Sequence, residues 1–127
     1  MKDQIMTNKQ QIELVMTAFV KAGDNSDINL LDVVLHEDFR VTSNRFMGTS
    51  GVTVIDKKQY IANVRKGVFG GIPRKMKIES INYCESIANV TLRLESAENH
   101  FVSYNSLFLD FDNRWKLIHN LAVVNAK

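Results

Sequence analysis

Apolar residues at Ile12, Val15, Met16 and Phe19 recur at i, i+3, i+4 and i+7, while Lys9, Gln10, Glu13, Thr17 and Lys21 fill the rest of the turn. That spacing predicts an amphipathic helix within "DQIMTNKQQIELVMTAFVKAGDN", and Gly23, soon after Lys21, is its expected left-handed cap. Ser26 or Asp27 can cap a short second helix carrying Leu30, Leu31 and Val34, which ends by His36-Glu37-Asp38. From Phe39 the period drops to two: Phe39, Val41 and Ser43 alternate with Arg40, Thr42 and Asn44, and "MGTSG" turns the chain into a short strand "VTVI". Asp56 stands three residues before Gln59, a capping box that opens a third helix with Tyr60, Ile61 and Val64 on one side and Gly67 as its stop.

Beyond "VFGGIP" the chain is strand-like throughout, in the runs "RKMKIESINY", "IANVTLRLE", "HFVSYNSLFLDF" and "RWKLIHNLAVV". Asp112 and Asn113 tolerate the positive φ of a tight hairpin turn, and strands joined this closely must be antiparallel. Helices first and a meander afterwards predict an α+β domain, with three N-terminal helices packed on one face of an antiparallel sheet. In the last strand Trp115, Leu117, His119, Leu121 and Val123 are expected on one face, and Lys116, Ile118, Asn120, Ala122 and Val124 on the other. Neither face is simply polar. One layer of helices covers one face only, so a second copy of the chain is expected over the other, as a homodimer through the outer sheet face.

Composition narrows the function classes. The 127 residues fit a single domain, 1–127, and 45% hydrophobic content suffices for one core. A formal charge of +2, scattered along the chain, argues against a nucleic-acid partner. Cys84 is the only cysteine, which excludes an intrachain disulfide and multi-thiolate zinc sites. No run approaches the roughly 18 apolar residues of a membrane span, and "MKDQIMTNKQQ" lacks a signal-peptide core, so no membrane partner and a cytoplasmic location are expected. His36, Glu37 and Asp38 have metal-ligating side chains, but adjacent residues on a loop rarely converge on one ion and no second ligand spacing completes four. No metal and no cofactor are expected. Gly70 and Gly71 are not followed by the Lys-Ser/Thr of a phosphate loop; their segment is either a lid bearing Phe69 or an ordinary connector.

The order of elements, together with Phe101, Tyr104, Ser106 and Leu107, a turn, and then "RWKLI" from Arg114 to Ile118, resembles the nuclear transport factor 2-like superfamily. Within it the chain is most similar to the branch named "putative lumazine-binding", near the SnoaL-like polyketide cyclases. The resemblance implies a cystatin-like, cone-shaped α+β barrel: a strongly curved sheet over the helices with a pocket between them. Related proteins include ketosteroid isomerases, scytalone dehydratase, limonene epoxide hydrolase and cyclases, beside members that only bind or dimerise, so the fold chooses no activity. Isomerases carry a carboxylate base near the end of the first hairpin strand and a tyrosine on the first helix. Ser43 and Phe19 occupy those regions here and supply neither.

The first functional expectation is a small apolar or aromatic ligand, carrying one or two polar atoms, in a hollow lined by Phe19, Phe39, Tyr60, Val64, Tyr104, Leu117 and His119. The competing one is an acid/base enzyme of cyclase, dehydratase or isomerase type, with His119 as proton shuttle and Tyr60 or Tyr104 holding an oxyanion. His119 is alternatively held by a neighbouring strand or turned to the dimer partner, and each tyrosine is alternatively a large apolar body with its hydroxyl at an edge. No carboxylate is placed to orient His119. A third possibility is an interaction module with a filled core. Arg40, Arg45 and Arg93 are weaker candidates as anion partners, and Cys84 is read as inert.

Overall fold

In the computed structural model, which describes residues 6–127, the Thr7 hydroxyl accepts the N–H of Gln10 and the Gln10 side chain accepts the N–H of Thr7. This reciprocal cap starts helix α1 (Asn8–Asp24), whose Ile12, Met16, Phe19 and Val20 are buried as the spacing predicts. The first part of the expected helical segment lies outside the described residues. At the other end the expectation is corrected: Gly23 is inside the helix, Asn25 is its cap, and Ser26 takes the positive φ of 53°. Gly23 serves close approach instead, because the connector crosses it and the Gly71 N–H donates to its carbonyl at 3.0 Å.

Asp27 caps α2 (Ile28–Val34) through the N–H of Leu30, and strand β1 (Leu35–Asn44) follows without a loop. His36, Glu37 and Asp38 therefore lie on a strand. A short 3₁₀ turn, Phe46–Gly48, leads to β2 (Val52–Asp56), and Asp56 with Gln59 forms the expected capping box of α3 (Lys57–Arg65). Gly67, at φ 78°, follows its end. The meander comprises β3 (Lys75–Cys84), β4 (Ile87–Glu95), β5 (Asn99–Leu109) and β6 (Trp115–Ala126), with Asn113 at φ 64° in the last hairpin turn.

The six strands are ordered β2-β1-β6-β5-β4-β3. Neighbours in the meander are antiparallel, but β1 and β6 run parallel, so the sheet is mixed, and β2 and β3 leave it open as two edges. Tight turns enforce antiparallel pairing only between consecutive strands; β1 and β6 are separated by most of the chain and no turn constrains them. The three helices cover one face, where Ile12, Met16, Leu31, Phe39, Leu92 and Leu117 are wholly buried. Each such side chain contributes roughly 1.5–3 kcal/mol of transfer free energy.

A bulge in β6 decides which residues face that core. Leu107 pairs with Leu117 but Ser106 pairs with His119, so Ile118 is an extra residue against β5. Trp115 and Leu117 point inward before the bulge; Asn120, Ala122 and Val124 do so after it. His119, Leu121 and Val123 are carried to the outer face, which corrects the expectation that all five odd-numbered residues share one side. A second irregularity, between Ile78 and Ser80 of β3, adds to the bending of the sheet. No helix of the described residues is long and apolar enough to cross a membrane.

Candidate functional site

On β5 the inward parity is Phe101, Ser103, Asn105, Leu107 and Leu109, so two polar side chains enter an otherwise apolar face. Asn120 joins them from β6 because of the bulge, and Ser43 from β1. All four are nearly enclosed, at 7% exposure for Ser43, 4% for Ser103, 1% for Asn105 and 6% for Asn120. The Asn105 amide donates to the Val90 carbonyl at 3.2 Å and the Ser103 hydroxyl oxygen at 3.0 Å, which leaves its oxygen as an acceptor; the Asn120 amide donates to it at 2.6 Å. That chain of donors fixes the orientation of both carboxamides. One register step along, Ser43, Ala122 and Ser103 form a row of three small side chains across β1, β6 and β5.

Opposite this face, α3 presents Tyr60. Its ring stacks against Phe19 at 5.9 Å and Phe69 at 5.9 Å, and meets Phe39 edge-on at 5.6 Å. Desolvation by these neighbours pushes the Tyr60 phenol up to about 12, against a smaller opposing pull from the Arg74 guanidinium. Arg74 is itself engaged: its Nε donates to Asp24 Oδ1 at 2.6 Å, its backbone N–H donates to Asp24 Oδ2 at 3.1 Å, and its guanidinium carbon lies 5.1 Å from the Phe101 ring centre. A methyl group on Gly23 would sit 3.3 Å from Arg74 Nη2 and 3.7 Å from the Tyr60 oxygen, so the bare backbone there lets both groups close in.

Three inward groups have spare hydrogen-bonding capacity. The Ser43 hydroxyl, the Asn120 side-chain oxygen and the Tyr60 hydroxyl make no hydrogen bond among the described residues, whereas no fully enclosed side-chain nitrogen or oxygen of those residues lacks a partner. The three therefore keep contact with accessible space.

Among the residues singled out in the sequence, Phe19, Phe39, Val64 and Leu117 are buried on the helix-covered side with Tyr60 beside them. His119 and Tyr104 are not. Tyr104 is 54% exposed on the outer face, and His119 pairs with Ser106 and Arg40 there, its Nε2 3.0 Å from the Thr42 hydroxyl. The structure thus does not bring His119 together with Tyr60, and the premise that His119 and Tyr104 line an inner hollow is corrected by the bulge and by strand parity. Arg40 donates to the carbonyls of Asp38 and Phe39, Arg93 pairs with Glu79 on the outer face, and Arg45 occupies a turn at φ 55°. His36 accepts the Asp38 N–H on Nδ1 and packs against Phe108. A separate groove of about 390 Å³ crosses the ends of β3, β4 and β5 between Lys77, Arg93, His100 and Phe101; its Arg93 and His100 are paired with Glu79 and Glu95.

Sequence reasoning passed over Ser103, Asn105, Asn120 and the Asp24–Arg74 pair. Ser103 and Asn105 were accessible to it, since they share parity with Phe101 and Leu107. Asn120 was not, because its inward direction depends on the bulge.

Helices on one face of a bent mixed sheet, closing over a partly polar inner surface, define a nuclear transport factor 2-like protein. More narrowly, residues 7–121 match the family described as "Putative lumazine-binding", and the chain belongs to it. The fold is similar to that of a nuclear transport factor 2-like protein of unknown function from Shewanella baltica OS155, at 13% identity over 97% of this chain and 100% of that one, with a TM-score of 0.81. It is also similar to one from Cytophaga hutchinsonii ATCC 33406, at 20% identity over 94% and 100%, TM-score 0.81. A ketosteroid isomerase-like protein from Erwinia carotovora atroseptica SCRI1043 matches at 12% identity over 95% and 100%, TM-score 0.74. At such identities the likeness extends to fold alone. No curated protein matches the chain significantly.

Proposed function

We propose that the chain is a small-molecule-binding domain, acting as a homodimer, whose ligand lies between the Ser43–Ala122–Ser103 row and the Tyr60–Phe69 wall. The observation that carries this is the unfilled hydrogen-bonding capacity of Ser43, Asn120 and Tyr60 on a face that is otherwise core. A polar group withdrawn from water without a partner costs about 1–3 kcal/mol, so such groups are retained where a ligand or ordered water meets them. The row is built of small side chains, and the stacked rings offer a flat apolar wall. The family name and the isomerase-like relative agree with a ligand-holding fold.

An acid/base enzyme is the weaker reading. Its proton shuttle, His119, is on the outer face, and Tyr60 holds its proton up to about 12 and so serves as a donor, not a base.

The test is a thermal-shift screen of the full chain against ring-containing compounds. A binder at 100 times its Kd contributes about 2.7 kcal/mol, a shift of roughly 10 °C for a domain of this size. The shift is expected to survive His119→Ala and to shrink in Asn120→Leu. A library in which nothing stabilises the chain, or a shift abolished by His119→Ala alone, overturns the reading.

A further inference from the structure

Residues 57–78, which form α3, the connector and the start of β3, carry seven of the sixteen Lys and Arg and no Asp or Glu. The rest of the chain has nine cations against fourteen acids, so the positive charge is gathered in this segment, which corrects the expectation that it is scattered. Lys57 is paired with Asp32 and Arg74 with Asp24. Arg65 and Lys66 before the connector, and Lys75 and Lys77 after it, are exposed and make no ion pair among the described residues. Of the carboxylates at the α1–α2 corner, which the connector crosses, Asp24 is held by Arg74 and Asp27 caps α2.

Between those cations the connector shows apolar side chains to water, with Val68 64% and Ile72 54% exposed. Its backbone is nonetheless fixed: the Val68 N–H donates to the Asn63 carbonyl at 2.9 Å, the Gly71 N–H donates to the Gly23 carbonyl, and Phe69 turns inward onto Tyr60. Two branched apolar side chains are thus held in water with no gain to the fold. A bilayer with anionic headgroups rewards both features, since cations settle among the headgroups while an apolar tip reaches the acyl boundary beneath. Nucleic acid would engage the cations but has no acyl layer to receive valine and isoleucine. We propose that this connector docks the chain peripherally on anionic lipid bilayers. Val68 and Ile72 enter the headgroup–acyl boundary, and Arg65, Lys66, Lys75 and Lys77 meet the lipid anions. Such attachment needs no membrane-spanning helix and is independent of any ligand on the inner face of the sheet.

Co-sedimentation of the full chain with lipid vesicles tests it. Binding is expected to vesicles of equal parts phosphatidylcholine and phosphatidylserine but not to pure phosphatidylcholine, and it should weaken steeply between about 0.1 and 0.5 M salt. Lys66→Gln combined with Lys75→Gln should lower the partition coefficient about 30-fold, at about fivefold per cation. Val68→Ser combined with Ile72→Ser should lower it about tenfold through the lost apolar contact. All four side chains are exposed, so circular dichroism is expected to stay unchanged. The fluorescence of Val68→Trp should shift to the blue on the mixed vesicles, over a constant background from the buried Trp115. Failure of the wild-type chain to sediment with the mixed vesicles refutes the proposal. So does binding that the serine pair leaves unchanged and polyglutamate competes away without a blue shift, which assigns the cations to an acidic protein instead.

Discussion

Tyr60 has a hydroxyl among rings, and the consequence is a measurable dependence of stability on alkaline pH. Burial disfavours the phenolate, raising the folded-state value from 10.0 to about 12. Between those values the unfolded chain releases this proton while the folded chain keeps it, so stability is intact below pH 10 and declines as pH rises through the window. At 1.36 kcal/mol per unit, the decline attributable to this residue reaches roughly 2–3 kcal/mol. The urea midpoint of wild type should therefore fall relative to that of Tyr60→Phe between pH 9 and pH 12; parallel curves would contradict the assignment. At the same scale, the inward turn of Ser103 and Asn105 can be read from alternation with Phe101 and Leu107, because a strand's parity is a local property. Asp24 and Arg74 cannot be found that way: each resembles any surface charge until the fold joins positions 50 residues apart.

Among the elements, the connector after α3 is pinned more tightly than its glycines suggest. Gly70 has φ +73°, and a Cβ there would collide with the Gly23 carbonyl oxygen; Gly48 has φ +85° with open space around it. Gly48→Ala should cost about 1–2 kcal/mol, the left-handed penalty alone, and Gly70→Ala distinctly more because helix α1 must also give way. Equal costs by chemical denaturation would mean that the connector is free to lift from the helix. Phe69, two residues from the α1 contact partner Gly71, stacks on Tyr60, so the same anchoring positions the aromatic wall. Helix boundaries were legible here from caps three residues long, Asp56 to Gln59 above all, and the last hairpin from Asn113. The bulge at Ile118 was not, since an extra residue exists only relative to the partner strand.

For the whole molecule, the outer sheet face is the surface with most to gain from a partner. Val52, Val54, Tyr104, Leu121 and Val123 are between 41% and 65% exposed on β2, β5 and β6. Paired through this face, two chains would bury these side chains and bring His119 close to the interface. Sedimentation of wild type is expected at twice the 14.5 kDa chain mass, and Leu121→Arg is expected to sediment as a monomer with an unchanged circular dichroism spectrum. A wild-type monomer at high micromolar concentration would remove the dimer from the proposal and leave the inner site intact.

By itself the sequence determined what short-range periodicity and capping control: three helices, a hairpin, a four-stranded meander, and with them membership of a superfamily. Tertiary structure alone decided that β1 lies parallel to β6, that one extra residue sends His119 outward and Asn120 inward, and that the inner surface carries amides and hydroxyls without net charge. The division has a physical cause. Helix faces and turns are set by residues within a few positions of one another, whereas register, bulges and ion pairs such as Asp24–Arg74 arise only when distant segments meet.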